Sequence, residues 1–161
     1  MEPATAQPAD THPRTRTPRP PVSYPRQPDH LTGDLPGTAT GQGYTGTFHG
    51  RPEEAARVRR EIASYLNGCP AAADMVLIAD ELAANAILHS HSRGSSFRVR
   101  CQLSPGTARI EVEDMGGPWR TPKPDDRPHG LDIVRALTGH DGWGNRATGT
   151  GSRVTWARLS W

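Results

Sequence analysis

Cysteine and long apolar runs are both scarce in this chain of 161 residues. The two cysteines, Cys69 and Cys101, lie far apart, and no stretch of about 18 consecutive apolar residues occurs. The N-terminus also lacks the apolar segment of a secretory signal peptide. These absences exclude a cysteine-only zinc site and a membrane-spanning helix, and they allow at most one disulfide. We therefore expect a reduced protein located in the cytoplasm, with no membrane contact.

The chain has no strong excess of charge of either sign. Its 19 Lys and Arg residues against 17 Asp and Glu residues leave a formal charge of +2. This balance is too weak to indicate a nucleic-acid partner. A DNA-binding protein acting through the arginines of the N-terminal segment is the least favoured hypothesis, and we expect no direct contact with nucleic acid.

Large apolar residues are rare in the first quarter of the chain. Residues 1–42 consist mainly of proline, glycine and small polar residues, which bury too little apolar surface to offset the entropy lost on ordering. We therefore expect a disordered, Pro-rich tail at 1–42 and one folded domain at 43–161.

Regular patterns begin at Tyr44 and predict a sequence of elements. The spacings indicate a strand at 44–48, helices at about 52–66 and 72–89, a hairpin of strands at 97–103 and 108–114, a helix from Gly130, and a last strand at 154–159. The buried face of the second helix is expected to comprise Met75, Ile78, Ala79, Leu82, Ala86 and Leu88. This order predicts an α+β fold in which a helical layer packs on one face of a mixed sheet.

A polar stripe runs along the second predicted helix. Spacings of four residues place Glu81, Asn85 and His89 on one face. Carboxylate and amide oxygens with an imidazole could hold a hydrated divalent cation and approach a polyphosphate. The same stripe is also typical of an ordinary solvated helix face, so by itself it does not establish a cation or phosphate site.

Three further clusters stand at element ends. Asp114 closes a strand and precedes Gly116 and Gly117, where a carboxylate could accept a hydrogen bond from an exocyclic amine and the glycines leave room for a planar ligand. Gly130 begins a helix, whose free N–H groups favour phosphate oxygens. A Gly/Ser/Thr segment at 149–152 leads into the last strand. Taken singly, each is also an ordinary turn or helix start.

Together these motifs resemble the gyrase, chaperone, histidine-kinase and mismatch-repair (GHKL) ATPase superfamily. Within it, the chain resembles the short bacterial anti-sigma-factor serine/threonine kinases. The resemblance covers about 44–159: 81–85 resembles the N box, 114–116 the first glycine box, 129–131 the second, and 151–154 the Gly-Thr-x-Val run. It implies the Bergerat ATP-binding fold, a two-layer sandwich with a mostly antiparallel sheet.

The resemblance implies a role for each matching residue. Glu81 would be the general base, and Asn85 the Mg²⁺ ligand. The adenine amino group would donate to Asp114, with Gly116 under the base and the Ser152 hydroxyl nearby. His89, Gly130 and Leu131 would lie around the phosphates of ATP.

The implied activity is that of an ATP-dependent serine/threonine protein kinase that regulates transcription. It would bind a sigma factor and phosphorylate a serine on a STAS-type anti-sigma-factor antagonist, with a homodimer left open. Pro118 and His129 depart from the glycine boxes in the segment that must close over the triphosphate. Nucleotide binding is therefore better supported than turnover, and a nucleotide-gated binding module without phosphotransfer is the alternative.

Overall fold

The computed structural model describes residues 43–117 and 130–161. These ranges contain five strands and three helices, whose bounds in chain order are β1 Tyr44–His49, α1 Pro52–Tyr65, α2 Ala72–His89, β2 Ser96–Ser104, β3 Thr107–Asp114, α3 Gly130–Thr138, β4 Trp143–Ala147 and β5 Arg153–Ser160. The expected tail at 1–42, Pro118 and His129 lie outside the described residues.

The strands form one sheet in the order β1-β2-β3-β5-β4, and all four strand pairings are antiparallel. The helices pack on one face of this sheet, where α2 contacts α1, α3, β3 and β5. Alternation along β2 and β3 sends one set of side chains to this face, including Phe97, Val99, Ile110 and Val112. The expected two-layer α+β fold is confirmed.

Helices α1 and α2 form where the sequence predicts them, and α1 shows the reasons most clearly. Pro52 occupies the first turn of α1, where its missing N–H costs no hydrogen bond, and Glu53 and Glu54 follow it at the positive end of the helix dipole. Val58 and Ile62 are fully buried, and the helix ends before Gly68, whose φ of 81° is in the left-handed region that favours glycine.

The structure differs from the expected elements at two places. It adds β4, a strand that the sequence does not predict because Gly144 and Asn145 have low strand propensity and the segment lacks alternation. It pairs outside β5, so β5 lies inside the sheet. The expectation that Leu88 is buried is wrong: it is 62% exposed, because the neighbouring Ile87 occupies the buried position at the end of α2.

Cys69 and Cys101 are both free cysteines. No helix in the described ranges is long and apolar enough to cross a membrane.

Candidate functional site

The N-box stripe of α2 faces the first residue of α3. Gly130 lies so close to Glu81 that a side chain at position 130 would collide with the Glu81 carboxylate oxygen Oε2. A larger residue at position 130 would therefore displace the Glu81 carboxylate from the start of α3. The fold brings together the carboxylate and the helix start that the sequence placed about 50 residues apart.

The surroundings of Glu81 raise the pKa of its carboxyl group. The half-buried carboxyl has a raised pKa, first because of desolvation and second because of the neighbouring Asp80 carboxylate. A carboxylate with a raised pKa is a better proton acceptor at neutral pH than an ordinary surface glutamate. This property suits the predicted role of Glu81 as a general base.

One helical turn further along, Asn85 is almost completely buried, with 8% of its surface exposed. Its amide nitrogen has no hydrogen-bond partner within the described part of the chain. A buried amide that is not satisfied by protein groups costs free energy unless a ligand completes it. This nitrogen is a donor and calls for an acceptor such as a phosphate oxygen, whereas a hard cation would bind through the carbonyl oxygen of the same amide. No group of three or more His, Cys, Asp or Glu side chains in 43–117 and 130–161 forms a metal cluster.

The end of α2 is tied to the first glycine box. His91 N–H donates to the Gly116 carbonyl at 2.8 Å, and Met115 N–H donates to the fully buried Ser92 hydroxyl at 3.0 Å. His89, the last residue of α2, is half-buried at this junction. These bonds fix the backbone of 115–116 relative to the N-box helix.

Asp114 is buried at the end of β3, with 2% of its surface exposed. Oδ1 accepts the Gly116 N–H at 2.7 Å, and Oδ2 accepts Nη2 and Nε of Arg153 at 2.9 and 3.2 Å. Burial raises the pKa of Asp114, whereas the Arg153 charge and these hydrogen bonds oppose the rise. The result is an oriented carboxylate at a sheet end.

The first glycine box lies against the turn before β5. Gly116 has a φ of 66°, and a side chain there would collide with the Gly151 carbonyl oxygen. The half-buried Ser152 follows in the same turn, and its carbonyl accepts the Thr148 N–H at 2.8 Å. The structure thus places the Ser152 backbone beside the first glycine box.

The second glycine box contributes backbone and core. Gly130 is the first residue of α3, and Leu131 is buried with 8% exposed. The leucine side chain belongs to the hydrophobic core, so only the backbone around it is available to a ligand.

Sequence reasoning missed Arg153, His91 and Ser92. Arg153 stands at the variable position of the Gly-Thr-x-Val run, and the only signal for it was the strand register, which places it opposite Asp114. A buried arginine is informative because it requires an ionic partner. His91 acts through its backbone N–H and Ser92 through its hydroxyl, and both bind backbone groups of 115–116 that no local pattern predicts.

Comparison with known proteins decides the family. A family model described as the histidine kinase-like ATPase domain matches residues 48–147, which is more than half of the chain. The chain belongs to this family. The histidine kinase-like ATPase domain is an ATP-binding domain, and the matched region contains Glu81, Asn85, Asp114 and Gly130.

The comparison of folds agrees. A solved structure of the RsbU and RsbW domains of Rv1364c from Mycobacterium tuberculosis matches with a TM-score of 0.57 and 21% identity, over 73% of this chain and 32% of that one. At this identity the likeness shows the fold, and this chain corresponds to about a third of that protein's length. No significant match was found among curated protein sequences.

The residues fit ATP as this family's ligand. A buried acceptor, Asp114, lies two residues before Gly116, and a helix start, Gly130, lies beside the Glu81 carboxylate. An adenine amine and a phosphate chain require these two kinds of group. The individual roles of the site residues stay predictions.

Proposed function

We propose that this histidine kinase-like ATPase domain is a serine/threonine protein kinase of the anti-sigma-factor type. It binds a sigma factor and transfers the γ-phosphoryl group of ATP to a serine of a STAS-type anti-sigma-factor antagonist. The observation that carries the proposal is the contact between Glu81 and Gly130, because it places a carboxylate with raised pKa at a helix start suited to phosphates.

The reaction needs a base and a positioned phosphate. The Glu81 carboxylate takes the proton of the incoming serine hydroxyl as the serine Oγ–P bond forms. The bond between the γ-phosphorus and the β–γ bridging oxygen breaks, and ADP leaves. The N–H groups at the start of α3, from Gly130 onward, hold phosphate oxygens during this exchange.

Asn85 is the residue that would hold Mg²⁺, through its amide carbonyl. When bound, the ion would neutralise charge on the β- and γ-phosphates. The burial of Asn85 at the middle of the stripe supports a fixed position for this carbonyl, and its Nδ2 donor, which has no partner among the described residues, suits an oxygen of the same phosphate chain. The place of His89 near the phosphates rests on the resemblance alone, because its carbonyl lies at the Asp114 end of α2, 3.4 Å from Arg153 Nη2.

At the other end of the site, Asp114 accepts the adenine amino group, with Gly116 beneath the base and Ser152 close by. The support is burial of the carboxylate at a sheet end and the close packing of 116 against the 151–152 backbone. An ionised carboxylate is an acceptor only, which matches the amino group of adenine.

The test is phosphotransfer with labelled ATP and Mg²⁺ to a STAS-type antagonist from the same cell. The expected result is label on the antagonist, absent when its acceptor serine is replaced by alanine. Nucleotide-dependent binding of the antagonist with no transfer of label would contradict the kinase and favour an occupancy switch. Co-purification followed by mass spectrometry identifies the sigma factor, and its absence from the complex would remove that partner.

A further inference from the structure

The Asp114 carboxylate is already shared between two protein donors. Arg153 directs both Nε and Nη2 to Oδ2, at 3.2 and 2.9 Å, whereas Oδ1 receives one N–H, from Gly116. An ionised carboxylate offers about four acceptor positions, two on each oxygen. Oδ2 is therefore filled, and one acceptor position remains on Oδ1.

The arginine is held as firmly as the carboxylate. Arg153 is 5% exposed, it faces Asp114 across the β3–β5 pairing, and its Nη2 also approaches the His89 carbonyl at 3.4 Å. A positive charge at this carbonyl is favourable, because the C-terminus of α2 carries the negative end of the helix dipole. The guanidinium thus joins β5, the first glycine box and the end of the N-box helix.

We infer that Arg153 is the positioning residue that makes this site select a 6-amino purine over a 6-oxo purine. By filling Oδ2 with a permanent cation, it keeps Asp114 an acceptor and leaves only Oδ1 for the base. The adenine amino group can donate to that oxygen, whereas the guanine 6-oxo group cannot. The inference rests on the proposed function, since Asp114 must be the group that meets the base.

Protonation is the route by which this selectivity would fail. A neutral carboxyl gains an O–H donor, and a donor can serve a 6-oxo group. Desolvation favours the neutral form of Asp114, and Arg153 opposes it most strongly. The other titratable group that favours the ionised form is His91, which lies after α2 and is exposed. Without Arg153, the carboxyl should become protonated at a higher pH.

The experiment measures dissociation constants for ADP and GDP at pH 8 and pH 6, using the full chain and the variants R153Q and R153K. In the wild type, the preference for ADP should be the same at both pH values. In R153Q it should fall about tenfold between pH 8 and pH 6, as expected for loss of one acceptor in a buried site. R153K keeps the charge and should stay close to the wild type. The matched control is R158Q, an exposed arginine of the same strand.

Each result bears on the inference. A wild-type preference that already falls between pH 8 and pH 6 would overturn it without any variant, which covers the case in which R153Q does not fold. If R153Q shows the same selectivity as the wild type at both pH values, the inference about Arg153 is wrong but the proposed function is unaffected. Tighter ADP binding by R153Q would have the same meaning, because Arg153 would then compete with adenine for Asp114. No ADP binding by the wild type would overturn the proposed function as well.

Discussion

Glu81 and Asn85 stand one helical turn apart and should fail in different ways when replaced. Glu81→Gln keeps the size of the side chain beside Gly130 but removes the base. Phosphotransfer should then fall by about 10²–10⁴-fold, the usual effect of losing general acid–base catalysis, with little change in ATP affinity. Asn85→Ala should weaken both ATP binding and transfer, because the amide is the proposed Mg²⁺ ligand. Single-turnover kinetics and equilibrium binding separate the two effects.

The control for this pair is Asp74→Asn, an exposed carboxylate in the first turn of the same helix. It should leave both transfer and affinity unchanged. Transfer at the wild-type rate by the Glu81 variant would refute its role as the base, even if the protein is a kinase.

Asp114→Asn replaces part of an acceptor with a donor at the predicted adenine contact. ATP affinity should fall, by about tenfold or more, and the preference for adenine over guanine should decrease. The substitution also leaves Arg153 without its carboxylate, so stability should fall by about 3–5 kcal/mol. Affinity is therefore measured well below the melting temperature of the variant. Unchanged affinity for both nucleotides would remove Asp114 from the site.

At the scale of elements, the contact between the first glycine box and the β4–β5 turn depends on a missing side chain. Gly116→Ala adds a methyl group against the Gly151 carbonyl and forces an L residue to a φ of 66°. We expect a loss of stability of about 1–3 kcal/mol in urea unfolding, together with weaker ATP binding. Gly149→Ala is the matched control, because nothing lies within 4 Å of its added Cβ. Equal stability of the two variants would contradict this description of the turn.

Most elements could be predicted because their patterns are local. The stop at Gly68, the alternation in β2 and β3 and the spacing in α1 and α2 are each contained in a short window. β4 could not, since its strand conformation comes from pairing with β5 rather than from the propensities of Gly144 and Asn145. Leu88 and Ile87 are adjacent apolar residues, and only the direction of the core separates them.

The site residues also differ in whether a local pattern could predict them. Glu81, Asn85 and Asp114 were found because their residue types and positions within elements carry the signal. Arg153 and Ser92 were missed, because each acquires its role from a partner distant in sequence. Strand register supplies the Arg153 contact with Asp114, and the packing of two loops supplies the contact of Ser92 with Met115.

At the scale of the whole molecule, the predicted domain boundary near residue 42 can be tested by truncation. Removal of residues 1–41 should leave cooperative melting and ATP affinity nearly unchanged, since the Pro-rich segment contributes few large apolar residues to a core. Thermal unfolding followed by circular dichroism measures the first, and titration measures the second. An insoluble truncated protein, or one without a cooperative transition, would show that the boundary is wrong.

The most direct measurement of the central claim is the melting temperature of the full chain with and without millimolar Mg²⁺ and ADP or ATP. A ligand that binds only the folded state stabilises it by about 2.7 kcal/mol at a concentration of 100 times its dissociation constant. For a domain of this size, we expect a rise of several degrees, with a smaller rise for GTP and for the Asp114→Asn variant. No rise with any adenine nucleotide would contradict a nucleotide site built from Asn85, Asp114 and Gly130.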